Sequence, residues 1–119
     1  MAVRLANCSF QPGKAWTTGN YSLRFTGDGN LELWDNAAVS LLWQSETSKG
    51  LNLSMQDDGN LVIYGEGSVA LWSSDTGSND GASLVLQDDG NLVIYSSTNK
   101  PLWATNTNPE QTAPPGKLP

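Results

Sequence analysis

Hydrophobic and polar residues alternate along short segments of this chain. Apolar Leu84 and Leu86 alternate with neighbours in Ser83–Leu86, and the segment Asn91–Tyr95 continues with β-branched and aromatic residues. A period of two is typical of β-strands with one buried face. Asp89-Gly90 separates the two segments and predicts a hairpin turn, because both residue types tolerate a positive φ. No stretch shows a sustained helical period with caps, so the pattern predicts an all-β protein.

The same pattern occurs three times along the chain. An Asp-Gly-Asn-Leu step begins at Asp28, Asp58 and Asp89, with spacings of 30 and 31 residues. Each step is followed by a Leu-Trp pair, whose tryptophans are Trp43, Trp72 and Trp103. A polar ending follows each tryptophan, at residues 44–47, 73–76 and 104–107. Repeats of about thirty residues cannot bury a face alone, so we expect them to close around a shared core filled by the tryptophans.

Charge and composition exclude several classes of function. The chain has 119 residues, with 12 Asp and Glu against 6 Lys and Arg and a net charge of -6. A negative protein is a poor partner for nucleic acid or an anionic membrane surface, and no long apolar run indicates membrane insertion. The chain has no histidine, and its single cysteine is Cys8. We therefore expect no metal, no cofactor and no intrachain disulfide, and interpret Cys8 as a packed or incidental thiol.

The size and the ends of the chain suggest one domain with a tail. We assign residues 1–107 to a single folded domain and the proline-rich residues 108–119 to a flexible tail. The segment Met1–Asn7 is too polar for the apolar core of a secretory signal. We therefore expect a cytoplasmic protein, or one released without a cleaved signal.

Two of the hairpins carry the same set of side chains on one face. Side chains alternate along a strand, so Asn91, Val93 and Tyr95 point away from the face of Leu92 and Ile94, which is predicted to be the core face. With the residues in and before the turn, the two sets are Gln56, Asp58, Asn60, Val62 and Tyr64, and Gln87, Asp89, Asn91, Val93 and Tyr95. A carboxylate, two amides, a phenol and a small apolar contact are what a pyranose ring requires. An Asp/Asn pair also favours one hydroxyl orientation, since the wrong epimer leaves buried polar groups unpaired.

Both nine-residue strings, Gln56–Tyr64 and Gln87–Tyr95, match the motif Gln-x-Asp-x-Asn-x-Val-x-Tyr. Over about residues 9–107 the chain resembles the monocot bulb-type (snowdrop-lectin-like) mannose-binding lectin family. The resemblance implies a β-prism with pseudo-threefold symmetry, built as three four-stranded antiparallel sheets from the three repeats. It also implies a multivalent lectin that binds mannose or mannose-containing glycans without changing them chemically.

The resemblance further implies a role for each motif position. The Asp and Asn would bind the axial 2-hydroxyl of mannose, the Gln the 3-hydroxyl and the Tyr the 4-hydroxyl, while the Val would pack on the ring carbons. Members of the family commonly dimerise by exchanging or docking a terminal strand. We therefore expect a homodimer, with the strand of Trp103 as the candidate for exchange.

The chain departs from the family pattern in two respects. The motif positions of the first repeat are Thr26, Asp28, Asn30, Glu32 and Trp34. Thr is shorter than Gln, Glu replaces the apolar contact by a charge, and Trp lacks the hydroxyl, so we predict a degenerate site that is silent or altered. The disulfide that is usual in bulb lectins is missing, so the chain resembles cysteine-poor members of the family.

Two further function classes stay open from the sequence. The chain could be a bacteriocin-like effector or a targeting module on the same scaffold, whose main partner is not a mannose glycan. The acidic pairs Asp57-Asp58 and Asp88-Asp89 also suggest calcium or a glycosidase. The spacing of an EF-hand is absent, however, and adjacent turn carboxylates tend to point apart. We therefore favour binding over catalysis.

Overall fold

The computed structural model describes residues 2–108, which form β-strands joined by turns. The strands are β1 (Val3–Leu5), β2 (Cys8–Phe10), β3 (Lys14–Thr18), β4 (Tyr21–Phe25), β5 (Leu31–Asp35), β6 (Ser40–Gln44), β7 (Asn52–Met55), β8 (Leu61–Tyr64), β9 (Ala70–Ser73), β10 (Ser83–Leu86), β11 (Leu92–Tyr95) and β12 (Pro101–Ala104). One 3₁₀ turn, Glu66–Ser68, lies between β8 and β9. In this part of the chain no helix is long and apolar enough to cross a membrane. Residues 109–119 of the predicted tail lie outside the described residues.

The strands form three four-stranded antiparallel sheets, which confirms the predicted all-β fold. The strand orders are β3-β4-β5-β6, β2-β7-β8-β9 and β1-β10-β11-β12. Each repeat supplies three consecutive strands of one sheet. The fourth strand of every sheet comes from residues 3–18, so the N-terminal segment contributes to all three sheets and joins the repeats to one another.

The hydrophobic core lies between the inner faces of the three sheets. Leu92 and Ile94 are fully buried there, as the alternation predicts. Their equivalents in the other repeats are equally buried: Leu31 and Leu33, and Leu61 and Ile63. The half-buried Cys8 packs against this core, and burial raises the pKa of its thiol. Cys8 is therefore a packed thiol.

The three repeated tryptophans meet one another in pairs. Ring centroids lie 5.5 Å apart for Trp43–Trp72, 5.5 Å for Trp43–Trp103 and 5.7 Å for Trp72–Trp103, and every pair is edge-to-face. Such pairs stabilise a fold by about 0.5–1.5 kcal/mol each beyond the area they bury. The rings are half-buried and pack against the core, so they join the three repeats, but the expectation that they fill the core is wrong, because Leu, Ile, Met and Phe side chains fill it.

The Asp-Gly hairpins form as predicted, but the predicted turn geometry is wrong. Gln56 and Asn60 pair across a three-residue loop, and Gly59 N donates to Gln56 O at 3.0 Å. Only Gly59 has a positive φ (92°), while Asp58 does not. This is the three-residue hairpin with one left-handed residue rather than the two-residue turn. It brings the Asp58 carboxylate to the backbone N–H of Asn60, the residue before β8, and the other two repeats have the same loop.

Candidate carbohydrate sites

A glutamine and a tyrosine bond to each other across the hairpin in the second and third repeats. Gln87 Nε2 donates to Tyr95 Oη at 2.6 Å, and Gln56 Nε2 donates to Tyr64 Oη. Each pair links the residue before the turn to the far end of the next strand. The bond leaves the glutamine Oε1 as an acceptor and the tyrosine O–H as a donor. Both tyrosines are half-buried.

The aspartate and asparagine of each motif are held together by the backbone. Asn60 N donates to Asp58 Oδ1 at 3.0 Å, and Asn91 N donates to Asp89 Oδ1 at 3.0 Å. The bond fixes the orientation of the carboxylate. Among residues 2–108 the second oxygen, Oδ2, of either aspartate makes no hydrogen bond. Asp58 and Asp89 are exposed, so these acceptors face solvent.

The side-chain oxygen of Asn60 is bound by the polar segment that follows Trp72. Asn60 Oδ1 accepts from Thr76 N and from Ser74 Oγ, each at 3.2 Å. Thr76 Oγ1 in turn donates to Gly59 O at 2.6 Å. This network fixes the amide plane, because the oxygen is turned towards the protein. The amide nitrogen Nδ2 makes no hydrogen bond within residues 2–108 and is available as a donor.

The third repeat has the same network around Asn91. Its Oδ1 accepts from Asn106 N at 2.9 Å and from Thr105 Oγ1 at 3.2 Å, and Thr107 Oγ1 donates to Gly90 O at 2.6 Å. These bracing hydroxyls were not assigned a role from the sequence. The sequence does contain a pattern that could have indicated them: in the polar ending of each repeat a Ser or Thr stands two residues before a Thr.

The motif valines lie on the outer face but are almost covered. Val62 and Val93 are each 3% exposed, and neither belongs to the central core. Val62 stands opposite Ser54 in the sheet, and Val93 stands opposite Val85. Because side chains alternate along a strand, each valine lies on the outer face between the Asn and the Tyr of its motif. The predicted residues of each motif are thus assembled along one hairpin.

Family comparison places this arrangement in a known group. The family model described as D-mannose binding lectin matches residues 45–118. The chain belongs to the D-mannose binding lectin family. A search of curated proteins found no match.

Three solved structures illustrate how close this family member is to others. A monomeric monocot mannose-binding lectin from Gastrodia elata is 41% identical, with 90% of this chain and 97% of that chain covered and a TM-score of 0.78. The Japanese Marasmius oreades lectin is 32% identical over 90% and 91%, with a TM-score of 0.79. The mannose-specific agglutinin from snowdrop (Galanthus nivalis) bulbs, complexed with methyl-α-D-mannoside, is 31% identical over 81% and 89%, with a TM-score of 0.70.

In the first repeat the oxygen of the motif asparagine, Asn30, is bound as in the other repeats, but its amide nitrogen is bonded to other side chains of the protein. Asn30 Oδ1 accepts from Ser45 Oγ at 3.0 Å and from Thr47 N at 3.1 Å, as in the other repeats. Asn30 Nδ2, however, donates to Glu32 Oε2 at 3.0 Å and to Gln44 Oε1 at 2.8 Å. An amide nitrogen has two hydrogens, so both are engaged by the protein itself.

The remaining motif positions of the first repeat are also engaged internally. Trp34 Nε1 donates to Glu32 Oε1 at 2.8 Å, and Thr26 Oγ1 donates to Asp28 Oδ1. The Arg24 guanidinium carbon lies 5.2 Å from the centre of the Trp34 ring, within the range of a cation–π contact. The first repeat therefore presents a closed polar surface instead of an open donor and acceptor.

Proposed function

We propose that this chain binds mannose and mannose-containing glycans at two sites, one in the second repeat and one in the third, and leaves the sugar chemically unchanged. One observation carries the proposal. In both repeats the asparagine Nδ2 and the aspartate Oδ2 of the motif have no partner among residues 2–108, while the other polar atoms of the same side chains are bonded and the asparagine N–H is bonded to the aspartate Oδ1.

An unpaired donor next to an unpaired acceptor suits a sugar hydroxyl. A hydroxyl can accept from the Asn60 amide and donate to the Asp58 carboxylate at the same time. We assign this pair, and the equivalent pair in the third repeat, to the axial 2-hydroxyl of mannose. A sugar with an equatorial 2-hydroxyl would leave both groups unpaired, and this selects against the epimer.

The rest of each site would fix the ring. Gln56 Oε1 and the Tyr64 hydroxyl would bond the 3- and 4-hydroxyls, and Val62 would make a small apolar contact with the ring carbons. Gln87, Tyr95 and Val93 would do the same in the third repeat. The first repeat has no free amide donor, and we propose that it binds no mannose.

Useful affinity would come from presenting several sites together. An exposed monosaccharide site typically binds near the millimolar range, about −4 kcal/mol, and linked sites strengthen binding to a branched glycan. We propose a homodimer, which would double the number of sites. The strand β12, which carries Trp103, is an edge strand of its sheet and has one side available for pairing. Light scattering after gel filtration tests this, since a homodimer has twice the mass of one chain.

A glycan array tests the function with a variant that spares the bracing network. Asn60→Asp and Asn91→Asp keep the oxygen that accepts from the backbone but remove the amide donor. We expect the wild type to bind terminal mannose and not the matching glucosides, and the double variant to lose this binding while its circular dichroism is unchanged. Wild-type binding without mannose preference would contradict the proposal. Release of free mannose from the array sugars would contradict the non-enzymatic part.

A further inference from the structure

The residue after the bracing threonine lies beside the Asp/Asn pair of the second repeat. Gly77 follows Thr76, and a Cβ at Gly77 would lie 3.8 Å from Asp58 Oδ2 and 3.9 Å from Asn60 Cβ. These are ordinary van der Waals distances, and the φ of Gly77 is not positive. The position can therefore carry a side chain, and the glycine leaves this flank of the Asp/Asn pair uncovered.

The third repeat carries an asparagine at the equivalent position. Asn108 follows the bracing threonine of the third repeat as Gly77 follows that of the second, and both threonines donate to the oxygen of the turn glycine at 2.6 Å. The equivalence of the repeats therefore places the Asn108 side chain against the pair formed by Asp89 and Asn91. In agreement with this, Asn91 is 9% exposed, whereas Asn60 is half-buried.

The amide of Asn108 is turned so that its donor is accessible. Its Oδ1 is buried without a hydrogen-bond partner among residues 2–108, whereas its Nδ2, which makes no hydrogen bond there either, is not buried. Asn108 as a whole is 8% exposed, so its side chain is largely enclosed, and Nδ2 is the polar atom of this side chain that a ligand can reach. The third repeat thus has a second amide donor beside its site, and the second repeat has none at this position.

The proposed orientation of mannose determines which part of a glycan this flank meets. The Asp/Asn pair is assigned to the 2-hydroxyl and the tyrosine to the 4-hydroxyl. The anomeric carbon adjoins carbon 2 and lies across the ring from carbon 4. A sugar linked to the anomeric carbon therefore leaves the site past the Asp/Asn pair and away from the tyrosine. Gly77 and Asn108 border the Asp/Asn pair, so they lie on the side of the linked sugar.

We propose that Asn108 is a specificity-determining residue of the third-repeat site, and that its Nδ2 donates a hydrogen bond to a hydroxyl of the pyranose linked to the anomeric carbon of the bound mannose. The second-repeat site has Gly77 at this position and binds the terminal mannose alone. The inference rests on the proposed function, because it takes the orientation of the ring from it. The two sites of one chain therefore differ in the length of mannoside that they recognise.

The test uses two proteins that each keep one mannose site. Asn60→Asp leaves the third-repeat site, and Asn91→Asp leaves the second-repeat site. Calorimetry compares methyl α-mannoside with the methyl glycoside of α-1,2-linked mannobiose, in which the terminal ring alone has a free 2-hydroxyl, so the other ring must lie on its anomeric side. We expect the Asn60→Asp protein to bind the disaccharide about two- to tenfold tighter, as one neutral hydrogen bond implies. We expect the Asn91→Asp protein to bind both ligands equally.

Exchanging the flanking residue provides the matched controls. Asn108→Ala, made in the Asn60→Asp protein, should make the affinities for the two ligands equal. Gly77→Asn, made in the Asn91→Asp protein, should create a preference for the disaccharide, because a side chain fits at this position without a positive φ or a backbone clash. Circular dichroism verifies that all the variants are folded.

Several results would overturn the role of Asn108. They are an equal gain for the disaccharide in both single-site proteins, a gain that survives Asn108→Ala, and a Gly77→Asn protein that acquires no gain. Binding of methyl α-mannoside by both proteins without any gain for the disaccharide refutes this inference alone. If neither protein binds either ligand, the proposed function fails as well.

Discussion

Asn30 Nδ2 donates a hydrogen bond to Glu32 Oε2 over 3.0 Å, two residues further along the chain. These residues stand where Asn60 and Val62 stand in the second repeat. The backbone of the first hairpin is the same as that of the others, since it has the same three-residue loop and the same bracing of the asparagine oxygen. The first repeat is therefore closed by its own side chains while its hairpin geometry is retained.

Because the hairpin geometry is retained, we expect that substitutions can convert the first repeat into a mannose-binding site. The change combines Thr26→Gln, Glu32→Val, Trp34→Tyr and Gln44→Ser, the residues that the second repeat carries at these positions. It frees the Asn30 amide and restores the Gln–Tyr pair and the apolar contact. We expect calorimetry with methyl α-mannoside to show one more site per chain than the wild type. Adding Asn30→Asp should remove the extra site, and an unchanged stoichiometry would contradict the account.

The bracing threonine should be required for binding as well as for stability. Thr76→Val keeps the shape but removes the hydroxyl that bonds Gly59 O, so the Asn60 amide loses part of its support. We expect a loss of about 1–3 kcal/mol in the free energy of unfolding, measured with denaturant, and weaker mannose binding at the second repeat. Thr47→Val is the matched control, because Thr47 bonds Gly29 O in the closed first repeat. It should destabilise the fold similarly and leave mannose binding unchanged; reduced binding would contradict a local role.

The turn glycine of the second repeat should be sensitive to a methyl group. Gly59 has a φ of 92°, and a Cβ there would lie 2.4 Å from the backbone oxygen of Asn79. We expect Gly59→Ala to lower the free energy of unfolding by more than about 1 kcal/mol, because strain and a backbone clash add. Gly67→Ala separates the two effects, since Gly67 also has a positive φ but its Cβ would meet nothing within 4 Å. An equal loss for both variants would show that the contact with Asn79 contributes nothing.

Asp35 should make the fold sensitive to acid. The backbone N–H of Ala38 and the side-chain amide of Asn20 hold the pKa of the Asp35 carboxyl below its ordinary value of 3.8. A lowered pKa in the folded state stabilises the protein above the ordinary value, and this contribution is lost as the pH falls through the folded-state pKa. We expect the difference in unfolding free energy between wild type and Asp35→Asn to shrink between about pH 6 and pH 2. A difference in unfolding free energy that stays constant over this range would contradict the predicted role of Asp35.

The local parts of the fold were predictable from the sequence, because they depend on neighbours in the chain. Alternation around Leu92 and Ile94 predicts the strand and its buried face, since side chains of a strand alternate between its two faces. The recurrence of Trp43, Trp72 and Trp103 predicts that three equivalent units pack together. The motif predicts which side chains share the outer face.

The non-local parts were not predictable in the same way. The pairing of β1 with β10 and of β2 with β7 joins segments far apart in sequence, and three-residue strands carry little periodicity. A β-bulge shifts the register before Tyr64, and equivalent bulges occur in the other two sheets. The bracing of Asn60 by Thr76, and the engagement of Asn30 by Glu32, depend on side-chain geometry that spacing alone does not specify.

The most direct test of the central claim is the number of methyl α-mannoside molecules that one chain binds by calorimetry. The account predicts two for the wild type, one for Asn60→Asp, one for Asn91→Asp and none for the double variant, with all four proteins folded. Binding that persists in the double variant, or a wild type that binds no mannoside, would contradict it.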